Sequence, residues 1–381
     1  MSRGTAAPRT RYPAQRRLVA DVLVAAVVGA VLSIATVSPA YSAPVTTTID
    51  GITYEGDDAN VGAGVVVTAY DAAQGPDPVI PTTVDISGTT YTVTAIGDDA
   101  FRNKFLSSVD LPTSLRTIGD RAFLRNSLAS IVIPDGVTTI GMEAFSDNSL
   151  ASAIIPDSVS TIGMSAFYLN SIASIVIPES VVNLEANAFA SNELTSATIP
   201  TSMSELKDGI FYSNRLTSVS IPAGVTSIGV GVFAYNLLDT VAIPSAVQTI
   251  ADDAFYGNQL ESVAIPSAVS AIGVRAFAGS PLLHSVHFDG DAPTVSAAHW
   301  ISGSFGDAAG KVLYFTCAAS GFTTPTWEGS DSEMRACPAP DDSHQIPPTG
   351  PEHVMVQVLV AGGMLVAGAG LLAVRRTRMR R

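Results

Sequence analysis

The sequence predicts a mainly β solenoid of eight 22-residue coils, with β-rich caps at both ends and one C-terminal transmembrane helix. Three observations carry this. Nine phenylalanines stand 22 residues apart without a slip: Phe101, Phe123, Phe145, Phe167, Phe189, Phe211, Phe233, Phe255 and Phe277. A fixed short period means stacked copies of one unit, each burying its apolar side against the next. An Ile or Leu followed at once by Pro recurs in the same register (Leu111-Pro112, Ile133-Pro134, Ile155-Pro156, through Ile265-Pro266), and an uncharged apolar run, Val354–Val374, lies near the C-terminus.

Within a unit, the apolar residues two apart, such as Ile131 and Ile133, mark a strand with both side chains on one face. Proline has no N–H to donate, so Pro134 ends that strand and turns the chain. The next apolar residues come in steps of three (Val137, Ile140), which suits a tight or 3₁₀-like arc on the opposite side. Parallel strands spaced about 4.8 Å apart would make the eight coils roughly 40 Å long. Seven Asn sit three residues after the Phe, from Asn126 to Asn258, with Lys104 and Ser280 in the end copies. A side-chain amide both donates and accepts, so this row is expected to satisfy turn backbone groups in its own coil and the next.

Together the pattern resembles the BspA-type leucine-rich repeat family of bacterial surface proteins. The second unit shows it best: Ala122-Phe123, Asn126, Leu128, Ser130-Ile131, Ile133-Pro134, Val137, Ile140-Gly141. Glu185, Lys207 and Ala251 depart from the Gly, and Ile210 and Val232 from the Ala. The resemblance implies a right-handed solenoid with a strand on its concave side, adhesion or protein binding, and no conserved catalytic chemistry.

The two ends carry export signals. Five Arg in residues 1–17, an apolar run over 18–37 and small residues up to Ala43 match a secretory signal peptide, cut after Ser42. The run is also long enough to span a bilayer, so an uncleaved anchor is the alternative. At the other end, residues 353–374 form a membrane-spanning helix and the Arg-rich residues 375–381 a cytoplasmic tail. Ile346-Pro347-Pro348-Thr349-Gly350 stands just before that helix and resembles a sortase sorting signal, with Ile in place of the usual Leu. By that resemblance a sortase cuts after Thr349 and joins it to peptidoglycan of a Gram-positive wall; a plain single-pass anchor is the alternative. Either arrangement puts the repeats outside the cell. The expected organisation is a signal peptide (1–42), a β-hairpin cap (43–95), repeats (96–277), a second cap (278–340), a linker with the sorting motif (341–352), the helix (353–374) and the tail (375–381).

The formal net charge of −14 understates the acidity between the signals: residues 44–349 hold 10 basic against 32 acidic residues, a balance of −22. That excludes charge-driven binding of nucleic acid. Cys317 and Cys337, the only cysteines, are expected to form a disulfide in a secreted chain, with free thiols as the alternative. Trp300 and Trp327 are expected in the core of the second cap. No Cys/His set has zinc spacing, and no nucleophile elbow, phosphate loop or zinc-protease motif occurs. The reading is therefore of a protein without enzymatic activity, cofactor or metal.

A binding face is legible on the strand. Outward residues form a hydroxyl row that includes Ser130, Ser152 and Ser174, and beside it a variable row whose members Val132, Ile154 and Val176 make an apolar strip. Exposed apolar strips mark protein contacts, although β-branched residues are also ordinary strand formers. The expected function is a wall-anchored adhesin or interaction module that binds a host or neighbouring-cell protein. The alternative is a structural spacer without a specific ligand.

Overall fold

The structure, a computed structural model, describes residues 44–57, 60–295, 312–315, 320 and 358–359. The signal segment, Cys317, Cys337, both Trp, the sorting motif and the basic tail lie outside the described residues. Among the described residues there is no α-helix, and none long and apolar enough to cross a membrane. Within the expected spanning segment only Val358–Leu359 is described; it is extended, antiparallel to Val312 and Leu313.

Residues 44–96 hold five strands: β1 (Pro44–Ile49), β2 (Ile52–Asp57), β3 (Val65–Tyr70), β4 (Thr83–Ile86) and β5 (Thr89–Ile96). Two of the connections are two-residue hairpin turns, Asp50-Gly51 and Ser87-Gly88, with all four residues at positive φ. Such mirror-image turns match the twist of the flanking strands, and Gly enters them without a Cβ penalty. β1, β2 and β3 run antiparallel in sequence, β3 pairs parallel with β5, and β5 pairs parallel with Thr117–Ile118 of the first repeat. The N-terminal sheet is thus continuous with the solenoid, and the Tyr70 ring extends the Phe column, 5.3 Å from Phe101.

Five of the eight repeats carry a strand at both of two sites, and the other three only at the second. The first is the expected one, at Ser130–Val132, Ser152–Ile154, Ser174–Val176 and Ser196–Thr198. The second falls where the steps of three suggested an arc: Thr117–Ile118, Thr139–Ile140, Thr161–Ile162 and Asn183–Leu184 pair in parallel, coil on coil. A four-residue turn lies between the two sites, closed by an amide bond back to the proline carbonyl (Val137 to Pro134, Val159 to Pro156). The arc is therefore a tight turn plus a two-residue strand, and the only 3₁₀ turns among the described residues are Val61–Ala63 and Ala72–Gln74.

The Phe column is the core of this stack. All nine rings are fully buried, with centroids 5.1 to 6.3 Å apart and planes within 18° of parallel. Each buried ring contributes about 2–3 kcal/mol of transfer free energy, and offset stacking adds to that. On either side of the Phe, two positions take a left-handed backbone: Arg121 and Arg125 around Phe123, Ser165 and Leu169 around Phe167, Arg275 and Gly279 around Phe277. Non-glycine residues adopt this conformation at a cost of about 1–2 kcal/mol each. The return is a third ladder, in which Arg121, Phe123 and Arg125 donate their amides to the carbonyls of Met142, Ala144 and Ser146 in the following coil.

The Asn row closes the turn after each Phe. The Asn192 amide nitrogen donates to the carbonyls of Phe167 (2.9 Å) and Phe189 (3.2 Å), and its oxygen accepts from the Ile172 amide at 3.1 Å. The same set recurs from Asn126 to Asn258. The bonds reach the coil before, where the sequence reading expected the coil after.

The second-strand ladder has one seam. Parallel pairing stops after Asn183–Leu184 and resumes at Glu205–Leu206 in a separate sheet. The Phe189–Phe211 separation there is the widest, 6.3 Å, followed by Phe211–Phe233 at 5.8 Å. Side-chain bulk explains it. Elsewhere the residue after the second strand is a glycine, or in one coil the small Ala251, packed onto backbone: a Cβ on Gly141 or Gly163 would lie 2.6 Å from backbone atoms of the preceding coil. Coils at the seam carry Glu185 and Lys207 at this place, one above the other, and Ile210 replaces the usual Ala beside the Phe. Lys207 Nζ meets Glu185 Oε1 at 2.6 Å, an ion pair that spans the gap.

Candidate binding surface

The strand alternation buries Ile131, Ile133, Ile175 and Ile177 and turns the residues between them outward. Val132, Ile154 and Val176 are accordingly 65%, 61% and 68% exposed. Val132 lies opposite Ile154 in one parallel pair, and Val176 opposite Thr198 in another. The hydrogen-bonded strand ladder is interrupted between Ile154 and Val176. Ser130, Ser152 and Ser174 are all exposed beside the strip, in the same strands.

The strip has an edge that sequence reasoning missed. Three residues after each of its members comes a carboxylate, Asp135, Asp157 and Glu179, and all three are exposed. Glu179 Oε2 accepts from the Thr201 amide and hydroxyl, both at 2.8 Å. In the last coils the same place holds Ala223, Ser245 and Ser267, so the acidic edge is confined to the coils that carry the strip. The signal was available as the residue immediately after each proline. An apolar centre with a polar, charged edge is the general layout of protein interfaces.

A second group also escaped sequence reasoning, which looked only at the strand. Tyr212, Tyr235 and Tyr256 follow their Phe by one or two residues and stand edge to face, with centroids 5.4 and 5.2 Å apart. The Arg275 guanidinium lies over Tyr256, 5.3 Å from the ring centre, and is held by Asp253 through bonds of 2.8 and 2.6 Å. That carboxylate raises the Arg275 pKa above its ordinary value. Lost solvation, then the Tyr256 and Tyr212 phenols, push the Tyr235 phenol up.

Among the described residues no three His, Cys, Asp or Glu side chains gather to hold a metal ion. His287 faces Asp289 at 3.6 Å, at the end of the repeats.

Comparison with known proteins supports the architecture. The model of the BspA type leucine rich repeat region matches residues 94–215 and 204–298, in six copies and over more than half of the chain. A leucine-rich repeat protein from Bacteroides ovatus superposes with a TM-score of 0.60 at 28% identity, covering 66% of this chain and 67% of that one. A leucine rich repeat protein from T. pallidum is 29% identical, with a TM-score of 0.40 over 50% of this chain and 88% of its own. A leucine rich cell surface protein from Faecalibacterium prausnitzii is 19% identical, with a TM-score of 0.35 over 70% and 99%. A comparison with curated proteins returned no match. The repeat register, the buried Phe column and the family match agree, and the chain belongs to the BspA-type leucine-rich repeat family.

Proposed function

We propose that this chain is a cell-surface protein-interaction module, an adhesin whose repeats bind a protein of a host or neighbouring cell through the outward strand face. The observation that carries it is the strip Val132-Ile154-Val176, three large apolar side chains each more than 60% exposed and edged by Asp135, Asp157 and Glu179. Solvent exposure of this much apolar surface is offset when a partner covers it. The edge favours a partner whose own apolar patch is ringed by Lys or Arg.

The export and sorting signals read from the sequence supply the location. In this proposal residues 44–95 cap the first coil, residues 278–340 the last, and Thr349 is joined to the wall by a sortase after the helix at 353–374 has held the chain in the membrane.

The test is the triple change Val132→Ser, Ile154→Ser and Val176→Ser. These side chains are outside the core, so the melting temperature is expected to stay within a few degrees. Capture of surface proteins from host and bacterial cells is expected to fall by an order of magnitude or more. Undiminished capture by the folded triple variant removes this face from the proposal. Absence of saturable capture by the unaltered chain favours the spacer reading.

A further inference from the structure

The tyrosine group lies apart from the strand strip, and the repeat supplies its own guide to what it holds. Tyr256 follows Phe255, and Arg275 occupies the position two before the next Phe, with its guanidinium over the Tyr256 ring. Two repeats earlier, Tyr212 follows Phe211 in the same way, and the place that corresponds to Arg275 is Gly231. No side chain fills that slot. A Cβ on Gly231 would lie 3.6 Å from Tyr212 Cδ2 and 3.9 Å from Ala234 Cβ, ordinary contact.

Around the slot the fold keeps the aromatic rings that face a cation. Tyr212 is 38% exposed. Tyr235, in the place where the last coil has Gly279, presents its ring 5.4 Å away at 77°, so two nearly perpendicular aromatic walls meet in a corner. Such a corner surrounds a cation with ring electrons, whereas a sugar ring needs a flat shelf. Asp253, which holds Arg275, corresponds to Gly209, so the slot has no carboxylate in that place; Asp208, just before it, is exposed and accepts the Val230 amide at 2.8 Å. The balance of −22 over residues 44–349 attracts basic partners over longer range.

We propose that the corner formed by Tyr212, Tyr235 and Gly231 receives an arginine side chain of a partner protein, seated over Tyr212 as Arg275 is seated over Tyr256. Guanidinium is the favoured group because it is planar, stacks on aromatic faces and is weakly hydrated. This surface is independent of the strand strip and goes beyond the function proposed above.

The experiment is calorimetric titration of the full chain with a peptide of alternating glycine and arginine, against the same peptide with neutral citrulline. Saturable binding of the arginine peptide is expected, with citrulline binding lost. Two variants address the corner. Tyr212→Leu removes the ring. Gly231→Arg fills the slot from within, and the left-handed backbone there already carries arginine elsewhere, at Arg121 (φ 55°) and Arg275 (φ 57°). Each is expected to weaken the arginine peptide about fivefold or more, while the triple strip variant binds it unchanged. Circular dichroism confirms folding, and if one variant is unfolded the other carries the test. Equal affinity in the folded variants, or equal binding of citrulline and arginine peptides, overturns the proposal. A loss only in the strip variant transfers the basic partner to the strand face and overturns it equally.

Discussion

Asn192 joins two coils by itself. Its amide satisfies the Phe167 carbonyl and the Ile172 amide of the coil before and the Phe189 carbonyl of its own, in an environment 8% exposed. Replacing it with Ala leaves the Ile172 amide without a partner, at about 1–3 kcal/mol, while the Phe167 and Phe189 carbonyls keep the bonds they accept from Asn170 and Asn214. Urea unfolding of Asn192→Ala is expected to show a loss of about 2 kcal/mol, and a loss below about 1 kcal/mol would mean that water replaces the amide freely. The row ends at Ser280, whose hydroxyl is buried and has no partner. A longer amide there regains the bonds that Asn258 makes one coil earlier, so Ser280→Asn is expected to raise stability by about 1 kcal/mol in the same assay. The row itself was legible in the sequence, because a side-chain amide, which both donates and accepts, recurs there at fixed spacing. Its direction was not, because spacing carries no sign.

At the scale of the coil, the first strand was legible from Ile131-x-Ile133-Pro134, where alternation and a missing donor both speak. The second strand was hidden because only one of its two residues, such as Ile140, is apolar, and two residues cannot display a period. The left-handed positions around each Phe were hidden for a different reason. They are filled by Asp, Arg, Glu, Ser, Leu, Tyr and Asn as well as Gly, since the inter-coil amide bonds, rather than the side chain, hold that conformation. The seam was half legible: Glu185, Lys207 and Ile210 break the consensus, but only the packing shows that two of them stack on each other. If bulk opens the seam, Lys207→Gly with Ile210→Ala closes it. Amide exchange of the peptide covering residues 201–208 is then expected to slow by about tenfold or more relative to the unaltered chain. Unchanged exchange would locate the cause elsewhere in that coil.

Across the whole molecule, stability is a sum of coil stabilities and nearest-neighbour interfaces, and five ion pairs follow the same rule by joining side chains 22 residues apart, Asp99–Arg121, Arg125–Asp147, Glu185–Lys207, Glu193–Arg215 and Asp253–Arg275. Such exposed pairs are individually weak, and they fix register more than they add stability. The proposed wall linkage is tested on the same scale: Thr349→Ala is expected to move the protein from the covalently bound wall fraction to the membrane or the medium, and unaltered wall attachment would reject the sorting signal. The backward reach of the asparagines has a consequence for how such a chain is made. Synthesis delivers the N-terminal coils first, so a newly emerged coil has only its own Asn on its Phe carbonyl and keeps its Leu or Ile amide open until the Asn of the following coil arrives. Each arrival then fastens the coil already in place, and the stack lengthens as a ratchet, one repeat at a time.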